Sequence, residues 1–229
     1  MPATPRRRPA TRKGRPVLTR EIIAAKALEM AGTQGFPALT MRALAAELDV
    51  TVRALYNYVE DRAEVVGLAV DLMLSSWNPP APDPADWETS VADYARSLRA
   101  LYRRWPRALL VSLDEDTPPA SVHPNRLLNL DRFLGLLREV GLGLPAALAA
   151  HRQLSLLVLS FALVVDGPAD RAGDDRNTIV PGQWLSAHAD LDIPTLREAA
   201  ALPLPGADEQ FDEVVAAVVA KIRDGLSAD

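Results

Sequence analysis

Apolar positions recur at helical spacing along nearly the whole chain. Thr19 stands where a first helix would be capped, with Glu21 in the first turn and Ile22, Ile23, Ala27 and Met30 on one face. Gly32 and Gly35 close that helix. Thr40 opens a short second helix whose Leu44, Ala45 and Leu48 face inward, Asp49 and Val50 make a tight turn, and Thr51 caps a third helix to about Tyr58. A fourth starts near Asp61 or Arg62 and runs to about Trp77. Further helical patterns cover residues 87–104, 106–113, 125–140, 145–165 and 207–226. Between Val165 and Ala207 the pattern is weak: Gly167, Pro168, Gly173 and the charged run 170–176 read as a mobile loop, followed by short helical pieces around Trp184 and Leu196. Prolines 79, 80, 82, 84, 118, 119, 203 and 205 punctuate the pattern, and β-branched alternation is nearly absent. The expectation is an all-α fold: a three-helix N-terminal domain over residues 18–66 and a larger helical domain over 67–229. Residues 1–17, rich in Pro and Arg, have nothing to bury and are expected to be disordered without a partner.

Charge sharpens that division. The chain of 229 residues carries a net charge of −5, which taken as an average argues against a polyanion as partner. Residues 1–66, however, hold 11 basic and 7 acidic side chains, and residues 67–229 hold 14 basic and 23 acidic ones. The first twenty residues contain seven bases and no acid. A basic front on an acidic body suggests that the front meets a polyanion while the body does something else.

Other totals exclude whole classes. With no cysteine the chain has no disulfide, thiolate metal site, iron–sulfur cluster or thiol catalysis. The bases at 6–8 are followed by prolines and further bases, not by the apolar stretch of a secretory signal. The strongly apolar run 154–165 is short of the roughly 20 residues that span a bilayer, so no membrane is expected and the protein reads as soluble and cytoplasmic.

Residues 39–59, LTMRALAAELDVTVRALYNYV, form a helix–turn–helix pattern. Two amphipathic helices joined by so short a turn cross steeply, with Ala45, Val50 and Leu55 setting the angle. The second helix then presents Thr51, Val52, Arg53, Tyr56 and Asn57, a mixture of donors, acceptors and apolar surface suited to base edges in a major groove. A helical hairpin inside an all-α domain gives the same pattern.

Residues 19–72 resemble the DNA-binding domain of the tetracycline-repressor (TetR) family. Matching positions include Ile22, Ala27, Leu28, Ala31, Gly35 and Phe36, then Leu39-Thr40-Met41-Arg42, Leu44-Ala45 and Leu48-Asp49-Val50. They continue through Leu55-Tyr56-Asn57-Tyr58-Val59, Arg62 and the start of the fourth helix at residues 65–68. Asp49 stands where the family usually has Gly, and Arg62 where Lys is commoner. The resemblance implies an operator-binding regulator, most simply a repressor released by a small molecule. Arg42 would reach the groove, Thr40, Tyr56, Tyr58 and Arg62 would hold phosphates, and Thr51, Val52, Arg53 and Asn57 would meet bases or methyl groups. The Tyr56 ring could instead simply pack. Arg12-Lys13-Gly14-Arg15-Pro16 resembles an AT-hook core for an A·T-rich minor groove, with Lys13 in place of the usual first Arg; a solvated basic tail is the plainer alternative.

The larger domain is similar to the same family's companion domain. That likeness implies a homodimer built from helices 145–165 and 207–226, with Phe211, Val214, Val215, Val218, Val219 and Ile222 as an apolar face that intrachain packing could also use. An effector would sit among apolar helices, with Trp77, Trp105, His123, Asn129, Phe133, Arg152 and Trp184 as candidate liners. In the tetracycline-binding members a magnesium-ligating histidine aligns near Trp105, so tetracycline itself is not expected. No cofactor or metal is expected. Two other readings stay open: a constitutive or architectural DNA-binding protein, and a metal-dependent enzyme using His188, Asp190 and Asp192, which the absence of a phosphate loop or nucleophile elbow does not help.

Overall fold

The computed structural model describes residues 11, 12, 15, 16, 18–108, 123–167, 170, 180–203 and 205–227. The chain divides into two compact units, Met1–Ser76 with Arg107–Arg126, and Trp77–Pro106 with Leu127–Asp229.

In the first unit, α1 (Arg20–Gln34) starts where Thr19 Oγ1 accepts from the Ile22 N–H at 3.3 Å. Ile23, Ala24, Ala27, Leu28, Met30 and Ala31 are buried on one side of it. A single 3₁₀ turn (Phe36–Ala38) leads to α2 (Met41–Glu47), and α3 (Val52–Leu55) and α4 (Arg62–Ser75) follow. The face of α4 carrying Val65, Val66, Ala69, Val70, Met73 and Leu74 packs on α1. That face is continuous to Leu74, so the whole of α4 belongs to this unit and the helix is not divided at residue 66. The segment after Pro106 returns to the same unit: the Arg107 N–H donates to the Gly32 carbonyl at 3.3 Å, and Asn125 Nδ2 donates to the Leu74 carbonyl at 3.1 Å. Residues 105–107 form a bend and a turn and Ala108 opens a 3₁₀ turn, and the rest of the helix expected over 106–113 lies outside the described residues.

Ahead of α1, Thr11–Arg12 pairs antiparallel with Arg15–Pro16, Arg12 opposite Arg15. Part of the arm expected to be structureless thus forms a ladder between residues so close in sequence that closing it costs little. Lys13 and Gly14 lie outside the described residues.

The second unit has α5 (Trp87–Arg104), α6 (Pro124–Glu139, from Leu127 onward), α7 (Leu144–Phe161), α8 (Gly182–Ala187), α9 (Pro194–Ala200) and α10 (Ala207–Leu226). Helix α6 ends in Gly141 at φ 110°, with Leu142 N–H on the Leu137 carbonyl and Gly141 N–H on the Arg138 carbonyl. Helix α7 runs into a π-helical turn (Ala162–Asp166) whose last residue, Asp166, is buried. Helices α5, α7 and α10 pack together, with Val91, Leu98, Leu154, Val158, Phe161, Phe211, Val215 and Ile222 in their core. Phe211, Val215, Val218, Val219 and Ile222 of α10 are therefore buried within the chain, whereas Val214 is half-buried and Ala216, Ala217 and Ala220 are exposed.

The continuous helical run Leu144–Asp166 is 23 residues and, by length and composition alone, long and apolar enough to cross a membrane. The 12-residue sequence estimate was too short because it stopped at His151, Arg152 and Gln153. The run carries these three polar residues in mid-helix, with Leu154, Val158 and Asp166 buried on one side and Leu148, Leu156 and Val164 exposed on the other.

Candidate nucleic-acid interface and the polar groups of the second unit

The turn between α2 and α3 is closed by two backbone bonds, Val50 N–H to the Ala45 carbonyl at 3.0 Å and Asp49 N–H to the Ala46 carbonyl at 3.1 Å. This pattern needs a left-handed residue at the reversal, and Asp49 supplies it at φ 53°. Thr40 and Thr51 cap the two helices, their hydroxyl oxygens accepting from the Ala43 and Ala54 N–H at 3.1 and 3.2 Å. Leu44, Ala45 and Leu55 are buried where α2 packs on α3 and on α1, while Val50 and Leu48 are half-buried. Helix α3 is shorter than expected. Beyond Leu55 the chain tightens, with Asn57 N–H on the Ala54 carbonyl and Tyr58 N–H on the Leu55 carbonyl.

Thr40, Arg42, Thr51, Arg53, Tyr56 and Asn57 are exposed, and Val52 and Tyr58 are half-buried. Tyr56 is 52% exposed, which rules out core packing as the reason for its ring. Among the described residues, Arg42, Arg53, Tyr56 and Asn57 form no side-chain hydrogen bond or ion pair within the chain, so their polar groups are at liberty to meet a ligand.

Arg62 has a different setting. Its Nε and Nη2 donate to the Leu39 and Phe36 carbonyls, both at 2.7 Å, so the guanidinium ties the start of α4 to the turn before α2. A phosphate at Arg62 would compete with these bonds. The end of the α3 turn is anchored by residues that no local sequence signal brought together. Arg20 Nη1 donates to the Tyr58 carbonyl at 2.7 Å, and its Nη2 pairs with Glu64 Oε1. Glu64 Oε2 accepts from the Glu60 N–H at 2.5 Å, and Asp61 Oδ1 caps α4 by accepting from the Glu64 N–H at 2.8 Å. The Glu60 N–H and then the Arg20 guanidinium hold the Glu64 carboxyl below its ordinary range. The four helices and these clamps form a mount for the exposed side chains of α2, α3 and the turn after it. Arg12 and Arg15 lie in the paired strands ahead of it.

Of the seven candidate liners, three meet in the second unit. Trp77, Asn129 and Phe133 are buried, Asn129 Nδ2 donates to the Trp77 carbonyl at 2.9 Å, and Tyr94 joins Trp77 and Phe133 with ring centroids 5.6 and 4.3 Å away. Tyr94 and His151, which periodicity did not single out, complete the group with Tyr94 Oη 3.2 Å from His151 Nε2. The other four stand elsewhere. Trp105 is half-buried beneath Arg104, whose guanidinium lies 4.4 Å from its ring centroid. Arg152 is exposed on the side of α7 away from its buried residues, and Trp184 is 62% exposed on a short helix that buries none of its residues. His123 belongs to the first unit, accepting from the Asn125 N–H at 3.1 Å and facing Asp71 at 4.0 Å. Among the described residues no three His, Asp or Glu side chains gather as a metal site, and His188, Asp190 and Asp192 are exposed.

A second polar group was also invisible in the sequence. Arg99 binds Asp166 through two bonds of 2.8 and 2.6 Å, pairs with Asp208 at 2.9 Å, and stacks on Phe161 and Phe211.

Comparison with known proteins places these features. The model of the bacterial regulatory proteins of the tetR family matches residues 23–67, and that of the tetracyclin repressor-like C-terminal domain matches residues 79–229. The HTH-type transcriptional repressor DrrR1 of Streptomyces coeruleorubidus is 33% identical over 68% of this chain and 56% of its own length. An HTH-type transcriptional regulator of Saccharopolyspora erythraea is 28% identical over 63% and 60%. The chain thus spans less than two thirds of the curated relatives it matches. Among solved structures, the TetR family protein ActR of Streptomyces coelicolor in complex with (S)-DNPA is similar with a TM-score of 0.63 at 26% identity, over 92% of this chain and 99% of that one. ActR has also been solved with actinorhodin, with a TM-score of 0.65 at 25% identity and the same coverage. BioQ with its double-stranded DNA operator has a TM-score of 0.52 at 25% identity, over 69% of this chain and 93% of that one.

Proposed function

The chain belongs to the TetR family of bacterial regulatory proteins, and on that premise we propose that it is a transcriptional repressor that binds operator DNA and is released by a small molecule. The observation that carries this reading is the face formed by α2, α3 and the turn after it: Arg42, Arg53, Tyr56 and Asn57 are exposed and without partners among the described residues, on a mount clamped by Arg20, Glu64 and Arg62. Arg suits guanine, Asn suits adenine, and Thr51 and Val52 suit a thymine methyl. Thr40, Tyr56 and Tyr58 would hold phosphate oxygens, and the basic arm with Arg12, Lys13 and Arg15 would enter a neighbouring minor groove. BioQ, which resembles this chain, has been solved on its operator, and DrrR1 is a named repressor.

One such face reads too few bases for tight selection. A homodimer would present two of them about 34–36 Å apart to a palindromic operator. Supporting a dimer through α7 and α10 are Leu148 and Leu156 of α7 and Val164 of the π-helical turn that follows it, which are 46, 61 and 68% exposed, and the small exposed Ala216, Ala217 and Ala220 of α10. An effector that binds the DNA-incompetent form more tightly would lower operator affinity without touching DNA. A regulator of this kind acts in the cytoplasm and needs no catalytic group.

The test is an electrophoretic shift with the DNA flanking the gene, followed by titration of aromatic compounds into the complex. A specific shift that a compound reverses is expected. A shift that no compound reverses would indicate constitutive repression, and no specific shift would overturn the assignment.

A further inference from the structure

The core of the second unit holds three polar side chains that packing does not require. Along α7 the inward positions run Ala147, Ala150, His151, Leu154, Ser155 and Val158, so His151 and Ser155 interrupt a stripe that is otherwise small and apolar. Tyr94 Oη lies 3.2 Å and Ser155 Oγ 3.3 Å from one and the same atom, His151 Nε2. An imidazole nitrogen has a single in-plane direction for a hydrogen bond, so the two hydroxyls compete for it. Whichever gives way keeps donor and acceptor capacity to spare beside the buried aromatic rings. Three apolar side chains would pack there at less expense, and such departures from packing logic concentrate at functional sites.

The surroundings define what could satisfy these groups. Trp77, Tyr94 and Phe133 are buried, while His151 and Ser155 are only half-buried, so the polar atoms stand at the accessible edge of an aromatic floor. The Phe133 and His151 rings are 5.5 Å apart and edge-on. Burial pushes the His151 pKa down and that of the Tyr94 hydroxyl up, so both are neutral near neutral pH. Arg99, the buried cation of this unit, is already held by Asp166 and Asp208. A charged ligand would find no free counter-charge among these residues, whereas a neutral hydroxyl or carbonyl would find the capacity that the two competing hydroxyls leave over.

We propose that Tyr94, His151 and Ser155 form the hydrogen-bonding end of the effector site, and that the effector is a flat, uncharged aromatic molecule carrying a hydroxyl or carbonyl on its edge. This rests on the reading of the second unit as a sensor. The aromatic floor takes the ring by stacked or edge contacts, and the hydroxyl that His151 Nε2 leaves over takes the polar edge as either donor or acceptor.

Three bicyclic probes test it on the full chain by titration calorimetry at about pH 7.5: 2-naphthol, 2-naphthoate and naphthalene. A naphthol stays protonated and a naphthoate stays ionised there, as ordinary phenols and carboxylic acids do. The expected result is 2-naphthol binding about tenfold or more tightly than either other probe. The double substitution Tyr94→Phe with Ser155→Ala removes both hydroxyls while keeping the packing, and should reduce the naphthol affinity about five- to tenfold and leave naphthalene unchanged. Equal binding of 2-naphthoate, an unaltered naphthol affinity in the double variant, or no naphthol binding would each overturn the proposal. The shift assay on the same preparation without probe reads the repressor assignment separately: specific DNA binding with a failed probe series condemns the effector class alone.

Discussion

The Arg99 guanidinium closes on both oxygens of Asp166, Nε at 2.8 Å and Nη2 at 2.6 Å, and the two residues are 7 and 1% exposed. The pair joins α5 to the π-helical end of α7, and Asp208 brings in the start of α10. Taking two charges out of water is costly, and the pair is sustained by its geometry and by the Phe161 and Phe211 faces. Asp166→Ala leaves the cation with the exposed Asp208 and a 3.4 Å bond to the Ala207 carbonyl. It should cost about 3 kcal/mol, toward the lower end for broken buried pairs, read as a lower urea midpoint for the second unit. Replacing both partners, Arg99→Met with Asp166→Leu, should restore most of that loss.

Arg62 is a positioning residue by the geometry, although the family resemblance gave it a phosphate. Arg62→Met removes donors from the Phe36 and Leu39 carbonyls and should cost about 1–3 kcal/mol in stability. Its salt dependence of operator binding discriminates between the roles. A positioning residue leaves the slope of log affinity against log salt as in the parent, whereas a lost phosphate contact reduces it by about one.

Asp49 tolerates its left-handed backbone at φ 53° but does not prefer it. Glycine carries no Cβ penalty there, so Asp49→Gly should stabilise the first unit by about 1 kcal/mol with the operator site unaltered. A higher melting temperature with the same affinity is the expected result. A lower one would show that the Asp49 side chain contributes more than its backbone strain costs.

Local chemistry made the reader legible. Thr19, Thr40 and Thr51 were placed as caps because each is a short hydroxyl ahead of an apolar repeat, and all three cap in the structure. The turn at Asp49 was equally readable, since few residue types accept its conformation. The polar groups of the body were not, because their partners are far apart in sequence: Tyr94 and His151 by 57 residues, Arg99 and Asp166 by 67. Periodicity says that a position faces inward but not which element it meets there. It therefore offered Arg152 and Trp184, which face solvent, and passed over Tyr94 and His151. The return of residues 107–126 to the first unit was hidden for the same reason: it depends on single backbone and amide bonds to Gly32 and Leu74.

Recognition itself is separable from fold. Arg42→Ala and Tyr56→Ala each remove an exposed side chain with no partner among the described residues, so stability should stay within about 0.5 kcal/mol of the parent. Specific operator affinity should fall by about tenfold or more in each, the scale of a lost base or phosphate contact. Deleting residues 1–16 should instead weaken binding to all sequences and flatten the salt slope. An unchanged slope would mean that the basic arm does not reach the phosphates.

His151 gives the second unit an acid-sensitive stability. Burial holds its pKa below the usual 6.5, so the folded chain keeps the ring neutral where the unfolded chain already takes up a proton. Unfolding then binds protons in that window, and stability falls as pH drops through 6.5 until the folded ring also protonates; above 6.5 the term vanishes. The Glu64 carboxyl acts in a separate range. Its pKa is depressed from 4.5, so its contribution is full above 4.5 and is lost only as pH falls further, through its folded value. Urea midpoints of the second unit should therefore decline between about pH 7 and pH 5 in the parent and stay level in His151→Gln. A decline of equal size in the variant would place the acid sensitivity on another group.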